Sequence, residues 1–239
     1  MKPNYGLDAP DVVRRLCFIG LAVLLLGLGC LLAQDRWRTL RWVTWPVLES
    51  GAMLIITGLV MIWGSKIGKL RLRDRLLNRM NWRGDERVLD VGCGHGLFLI
   101  GAAKRLASGM ATGIDLWQTE DQAGNSAEAT FRNAELEGVK DRVKLRDGDA
   151  REMPFDNLSF DVVLSSWALH NIYDETGRRC ALEEIVRVLK PGGRLLIVDI
   201  RHTREYADAL RALNMADVAV SRPNFIFFIP TRSVTATKP

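Results

Sequence analysis

From residue 85 onward, short runs rich in Val, Ile and Leu alternate with stretches whose apolar residues recur every three or four positions. That alternation predicts a parallel sheet with helices on both faces. Strands are expected at 87–91, 111–115, 143–146, 160–165 and 194–200, and helices near 97–107, 127–138 and 176–189. The run Lys190-Pro191-Gly192-Gly193 stops the last of these helices. A further helix at 204–213 precedes two strand-like runs, 218–221 and 225–236.

The first third of the chain follows a different pattern. Leu16 to Ala33 contains no charged residue, and a second apolar stretch, Trp42 to Trp63, carries one acid, Glu49, near its start. Eighteen helical residues reach roughly 27 Å, close to the bilayer core of about 30 Å. Both stretches are therefore expected to span a membrane, at about 16–34 and 42–64. Arg14 and Arg15 ahead of the first run also fit a signal peptide, but the second apolar stretch speaks against that rival. Trp37, Trp42, Trp45 and Trp63 stand at the expected helix ends, where an aromatic belt forms. Gly20 and Gly27, and likewise Gly51 and Gly58, are spaced to let the helices pack as a hairpin or to join two protomers into a homo-oligomer.

The expected organisation is thus an N-terminal segment 1–66, a basic juxtamembrane linker 67–84 and an α/β domain 85–239. The formal charge of +5 is unevenly spread. Lys66, Lys69, Arg71, Arg73 and Arg75 follow the second apolar stretch, where they would meet anionic lipid headgroups. No base-reading motif accompanies them, so nucleic acid is not expected as a partner. Eight basic residues flank the hairpin on the side of its two ends, against three in its turn (Arg36, Arg38 and Arg41). That excess places the α/β domain on the cytoplasmic face of the plasma (inner) membrane. Cys17, Cys30, Cys93 and Cys180 form no CxxC or zinc spacing, and no metal site is expected.

The sharpest motif is Val88-Leu89-Asp90-Val91-Gly92-Cys93-Gly94-His95-Gly96, a buried strand entering a glycine-rich turn that opens a helix. Alone it would also fit a dinucleotide site. Its neighbours decide otherwise: Asp90 before the turn, Asp115 at the end of the next strand, and Gly148-Asp149-Ala150 followed by Met153-Pro154-Phe155 after the third. With 160–165, 169–172 and 184–193 in order, the chain from about 70 to 239 resembles the class I S-adenosylmethionine (SAM)-dependent methyltransferases. The likeness is strongest to the small-molecule branch that includes ubiquinone- and menaquinone-biosynthesis enzymes.

The resemblance implies an α/β, Rossmann-like seven-stranded sheet in the order 3-2-1-4-5-7-6, with its last strand antiparallel. It implies that Gly92, Gly94 and Gly96 border the methionine part of SAM and that Asp90 helps hold its amino group. Asp115 would take the ribose, and Asp149 with Ala150 the adenine edge; His95, Leu116 and Ser165 complete the expected cofactor set. The segment 116–126 is longer than the family's usual passage into the next helix. It reads either as a lid or substrate loop, or as a solvated loop with Ser126 capping the next helix.

Methyl transfer from a sulfonium needs above all a positioned nucleophile, and a base only where the acceptor must lose a proton. The three histidines, His95, His170 and His202, each follow the carboxyl end of an expected strand, the edge where open α/β sheets place their sites. His95 belongs to the cofactor loop. His170 and His202 are the acid/base or acceptor-orienting candidates, with Tyr173 and Asp199 as weaker ones. The expected function is methyl transfer to a lipophilic or membrane-proximal small molecule, with the lipid bilayer as a partner. A soluble amine, thiol or phenol is the alternative acceptor. A tethered SAM-binding protein without turnover is the reading from another class. Ser165-Ser166-Trp167 after the fourth strand differs from the Asn/Asp-Pro-Pro-aromatic run of enzymes that methylate nucleic-acid bases.

Overall fold

The protein is described here from a computed structural model covering residues 2–117, 124–225 and 229–239. The chain forms two compact units, Leu7–Lys69 and a second built from residues 2–6 with Leu70–Pro239.

In the first unit, α1 (Pro10–Ala33) and α2 (Arg41–Trp63) run antiparallel. Pro10 opens α1 at a position where its missing N–H leaves no bond unmade. Arg14 and Arg15 therefore lie inside the helix rather than ahead of it. The helices meet along glycines: a Cβ on Gly51 would stand 2.8 Å from the Leu24 nitrogen and 2.9 Å from the Gly20 oxygen. Gly27 faces Leu48, and Gly58 faces Cys17. Gly20, Gly27, Gly51 and Gly58 thus serve contacts within one chain. The outward faces carry large apolar side chains, with Phe18 at 74%, Leu32 at 80% and Trp42 at 86% exposure. A π-helical turn, Gly64–Gly68, follows α2 directly.

In the second unit, α3 (Lys69–Leu77) occupies part of the expected linker. Its Leu72 and Leu77 are core residues, so the stretch folds with the sheet instead of connecting to it. The sheet follows: β1 (Arg87–Val91), α4 (Leu97–Ala103), β2 (Met110–Asp115), α5 (Ala127–Leu136), β3 (Val143–Asp147) and β4 (Phe160–Ser166). Then come α6 (Glu175–Val188), β5 (Leu189–Asp199), α7 (Thr203–Ala212), β6 (Ala216–Val220) and β7 (Arg232–Thr237). The order is β3-β2-β1-β4-β5-β7-β6, with β7 antiparallel to its neighbours. The reversal of winding falls between β1 and β4, which makes their carboxyl ends the natural ligand crevice.

Alternation along the strands divides the core. Val88, Val162, Leu164, Leu196 and Val198 face α3 and α4, whereas Leu89, Val91, Val163, Leu195 and Ile197 face α6 and α7. All seven residues of α4 are buried, and each large apolar side chain among them contributes about 1.5–3 kcal/mol. Two strand starts differ most from the sequence reading. β5 starts at Leu189, paired with Phe160, and residues 190–193 bulge out before pairing resumes at Arg194 and Val162. The last strand begins at Arg232, not at 225, and residues 226–228 of that expected run lie outside the described residues.

The basic run also divides. Lys69 is 3% exposed and pairs with Asp8 at 3.0 Å, and burial holds its ammonium below the usual lysine range. Arg73 is 5% exposed, pairs with Asp74 at 2.9 Å and lies over the Tyr5 ring. Neither is free for lipid; Lys66, Arg71 and Arg75 remain exposed.

The glycine contacts separate two substitutions. Gly51→Ala meets backbone atoms and is expected to destabilise the hairpin by about 1–3 kcal/mol. Gly29→Ala meets nothing within 4 Å and gains up to about 1 kcal/mol of helix propensity. Thermal unfolding of the first unit in detergent should fall for the former and hold or rise for the latter.

Candidate active site

The loop after β1 is fixed from both sides. The Gly92 and Cys93 N–H groups donate to the Ile114 carbonyl at 2.9 and 3.2 Å, which locks the loop to β2. Gly92 has φ +69°, and a Cβ there would stand 2.2 Å from the Ala168 Cβ. Only glycine meets both conditions. The same contact sets the cofactor loop against the segment that follows β4. Gly96, at φ +82°, lies against Thr130 of α5, and the Thr130 hydroxyl donates to the Gly94 carbonyl at 2.5 Å.

Asp90 is wholly buried beneath this loop, and neither carboxylate oxygen has a hydrogen-bond partner among the described residues. Burial pushes its carboxyl up to about 8, opposed in part by the Leu99 N–H in the first turn of α4 and reinforced by the Asp115 charge. An unpartnered carboxylate at the floor of a glycine cradle fits a cationic ligand group, as the ammonium of SAM would be. Asp115 is arranged differently. Its Oδ2 accepts from the Gly94 N–H at 2.8 Å, and its Oδ1 accepts from the Trp117 N–H at 2.7 Å and from Asn125 at 3.1 Å. This carboxylate thus organises the loop it would share with a ribose.

The other expected cofactor residues separate. Asp149 is clamped by Arg151, whose guanidinium and backbone N–H hold its carboxyl below the ordinary range. Ala150 is half-buried beside it. Ser165 is 1% exposed and donates to the Val91 carbonyl at 2.9 Å, a bond that clasps β4 to β1. Leu116 is exposed. The His95 ring is buried with Nδ1 at 3.2 Å from the Asn4 carbonyl, so it faces the N-terminal segment. Ser126 caps α5, accepting from Ala129 N–H at 3.2 Å; residues 118–123 of that long loop lie outside the described residues.

The two candidate bases converge on one cluster. His170 Nδ1 stands 2.6 Å from Oδ1 of Asp199, whose side chain is fully buried. Asp199 also accepts from the His170 and Ile200 N–H groups and from the Tyr206 hydroxyl at 3.3 Å. Burial, with the Asp199 charge next to it, raises the Tyr206 phenol far above its usual range, so it remains a donor. The contact is one of distance and charge, since His170 Nδ1 makes no hydrogen bond among the described residues. His202 has its own acid, Glu205, at 2.9 Å, and Glu205 is held in turn by the buried Arg178. Arg178 also binds the Ile172 and Tyr173 carbonyls, tying the segment after β4 to α7. Tyr173 itself is 95% exposed.

Several contributors carried no sequence signal. Asn133 accepts from the Asn4 N–H and donates to the Asn4 and His95 carbonyls, and the Tyr5 hydroxyl donates to Glu137, so residues 4–5 cover the cofactor loop. These partners lie more than 120 positions apart. The Trp117 indole donates to Asp147 at 2.6 Å across the ends of β2 and β3.

The raised carboxyl of Asp90 sets a pH dependence. A group held neutral by the fold stabilises the ligand-free protein below its unfolded value near 4, and that contribution is lost as pH rises through about 8. Thermal unfolding without ligand should therefore fall between pH 6 and 8.5, and Asp90→Asn should flatten the slope. The same variant should bind S-adenosylhomocysteine about tenfold or more weakly. Parallel slopes for the two proteins would contradict the assignment.

The comparisons with known proteins agree with this geometry. Residues 89–197 match the family model described as "Methyltransferase domain". A 27-O-demethylrifamycin SV methyltransferase of Amycolatopsis mediterranei is 36% identical over 132 residues, 54% of this chain and 44% of that protein. A demethylmenaquinone methyltransferase of Staphylococcus aureus is 37% identical over 128 residues, 53% of this chain and 48% of that protein. The chain therefore spans about half the length of the curated relatives it matches. In fold it is similar to a SAM-dependent methyltransferase from Aquifex aeolicus, with a TM-score of 0.56 at 20% identity over 73% of this chain and 94% of that one. Glycine loop, buried Asp90, sheet order and family match agree: residues 89–197 are similar to a methyltransferase domain, on the fold that SAM-dependent methyltransferases share.

Proposed function

We propose that the protein is a membrane-anchored SAM-dependent methyltransferase acting on a lipophilic or membrane-proximal small molecule. One observation carries this reading. A methyltransferase domain is joined in one chain to helices of 24 and 23 residues whose apolar side chains are exposed along their length. Each is long and apolar enough to cross a bilayer. Anchoring would hold the site near an acceptor dissolved in the membrane and raise its effective concentration. The basic residues favour a catalytic unit on the cytoplasmic face. Relatives named for demethylated menaquinone and rifamycin support a small-molecule acceptor.

SAM supplies an electrophilic methyl group on a sulfonium. Asp90, ionised, would neutralise the cofactor's ammonium, Asp115 would accept from its ribose hydroxyls, and the Gly92–Gly96 turn allows close backbone approach. Most of the rate would come from holding an acceptor in line with the methyl group. Where the acceptor must lose a proton, His170 Nε2 takes it, and Asp199 stabilises the imidazolium that results. Tyr206 holds Asp199 from the other side. His202, bound to Glu205 within the Arg178 network, would orient that wall of the site.

The test uses detergent-solubilised protein and methyl-labelled SAM, offered either a membrane-lipid extract or a soluble metabolite pool. Label is expected in the lipid fraction; label confined to the soluble pool would overturn the acceptor class. With the acceptor known, His170→Gln should lower kcat about 100-fold. S-adenosylhomocysteine affinity should stay within about threefold of wild type. An unchanged kcat would remove the base.

A further inference from the structure

We infer that the sheet face formed by β5, β7 and β6 beside α3 binds an anionic amphiphile, a lipid phosphate whose head sits on an arginine cluster and whose chain lies along the sheet.

The seven-stranded sheet is covered unequally. On the α7 side of β7, Val234 and Ala236 are buried, but on the opposite side Thr235 of β7 and Ala219 of β6 are exposed. No described helix closes that face beyond α3. Two adjoining hollows of about 400 and 280 Å³ run along it, together within the roughly 300–1,000 Å³ of small-molecule pockets. They share Leu76, Arg79, Ser221 and Ser233 in their linings. The larger lies over Leu196, Ala219 and Thr235; the smaller reaches Val198 and Pro223. Because Val198 is the residue before Asp199 in β5, the smaller hollow opens at the carboxyl edge of the sheet. The larger hollow presents Leu76, Met80, Leu196 and Ala219, small or aliphatic side chains suited to an alkyl chain.

Charge fixes the character of the ligand. Arg75, Arg79, Arg222 and Arg232 line the smaller hollow, and none has a carboxylate within 4 Å among the described residues. Arg194, in the larger hollow, shows the contrast: it is paired with the buried Glu86. Four uncompensated guanidinium groups around one hollow repel each other, and the planar fork of arginine matches phosphate oxygens two at a time. The one acid in the linings, Asp217, belongs to the larger hollow, so the charges orient a ligand head towards the arginines and tail away from them. Along the chain, Arg75 follows Trp63 by only a dozen residues, so a lipid source lies within reach if α2 spans a bilayer. The proposal rests on the membrane reading for that supply alone.

The test titrates lauroyl lysophosphatidate into the full-length protein in a non-ionic detergent, with its phosphocholine analogue, glycerol phosphate and inorganic phosphate as the other arms. Saturable binding of lysophosphatidate is expected, with each other arm at least about tenfold weaker. Arg222→Gln with Arg232→Gln, and separately Ala219→Trp to fill the floor, should each weaken it about tenfold or more. Both variants should keep wild-type S-adenosylhomocysteine binding, which shows that they fold. Equal affinity for glycerol phosphate would overturn the chain groove, and equal affinity for the phosphocholine analogue would overturn the arginine cluster. A dimer that Ala219→Trp dissociates, without lipid binding, would assign the face to a second copy and overturn the proposal. Vesicle flotation of the same preparations keeps the two readings apart: lysophosphatidate binding without flotation would remove the anchor and leave the groove.

Discussion

The structure turns on a carboxylate that the fold buries without a partner. Asp90 stands one residue before the end of the central strand, beneath the glycine loop, with no hydrogen bond to either oxygen among the described residues. Burying such a group is unfavourable unless a cation arrives to meet it. Everything around it keeps that place ready. Ile114 binds the loop from β2, Ala168 presses on Gly92 from beyond β4, and Asp115 holds Gly94 and Trp117. The loop is thus rigid before any ligand is present, which limits the ordering that binding has to supply.

The same constraint relates the two ends of the site. The Gly92–Ala168 contact places the cofactor loop directly beside the segment carrying His170, and Arg178 anchors that segment to α7 through Glu205. Asp199, buried between His170 and Tyr206, sets a carboxylate beside the imidazole. The glycine loop and the His170–Asp199 pair therefore share one crevice, at the point where the strand order reverses.

Much of this was legible in the sequence because the signals are local. Strand β1, its glycine turn and Asp115 are fixed by residues within a single βαβ unit, and the 3.6 and 2 periodicities mark both faces of the sheet. The apolar helices were equally plain, although α1 begins earlier than its charge-free run, because Pro10 can start a helix ahead of two arginines. What was hidden depends on distant partners. Lys69 and Arg73 read as a lipid-facing pair but are consumed by Asp8, Asp74 and the Tyr5 ring. Ser165 reads as a cofactor contact but clasps two strands. The Asn4–Asn133–His95 clamp joins residues that no spacing rule connects. The arginine-lined face became visible only when α3, β6 and the start of β7 were brought together.

Calorimetric titration of SAM into the full-length, detergent-solubilised protein, wild type against Asp115→Ala, tests the central claim most directly. The account expects saturable micromolar-range binding by wild type and a loss of at least about tenfold in the variant, whose loop keeps neither its Gly94 and Trp117 bonds nor its ribose acceptor. Equal binding by both proteins would separate the cofactor from the β1–β2 crevice. No binding by folded wild type would leave a methyltransferase-like sheet without the chemistry assigned to it.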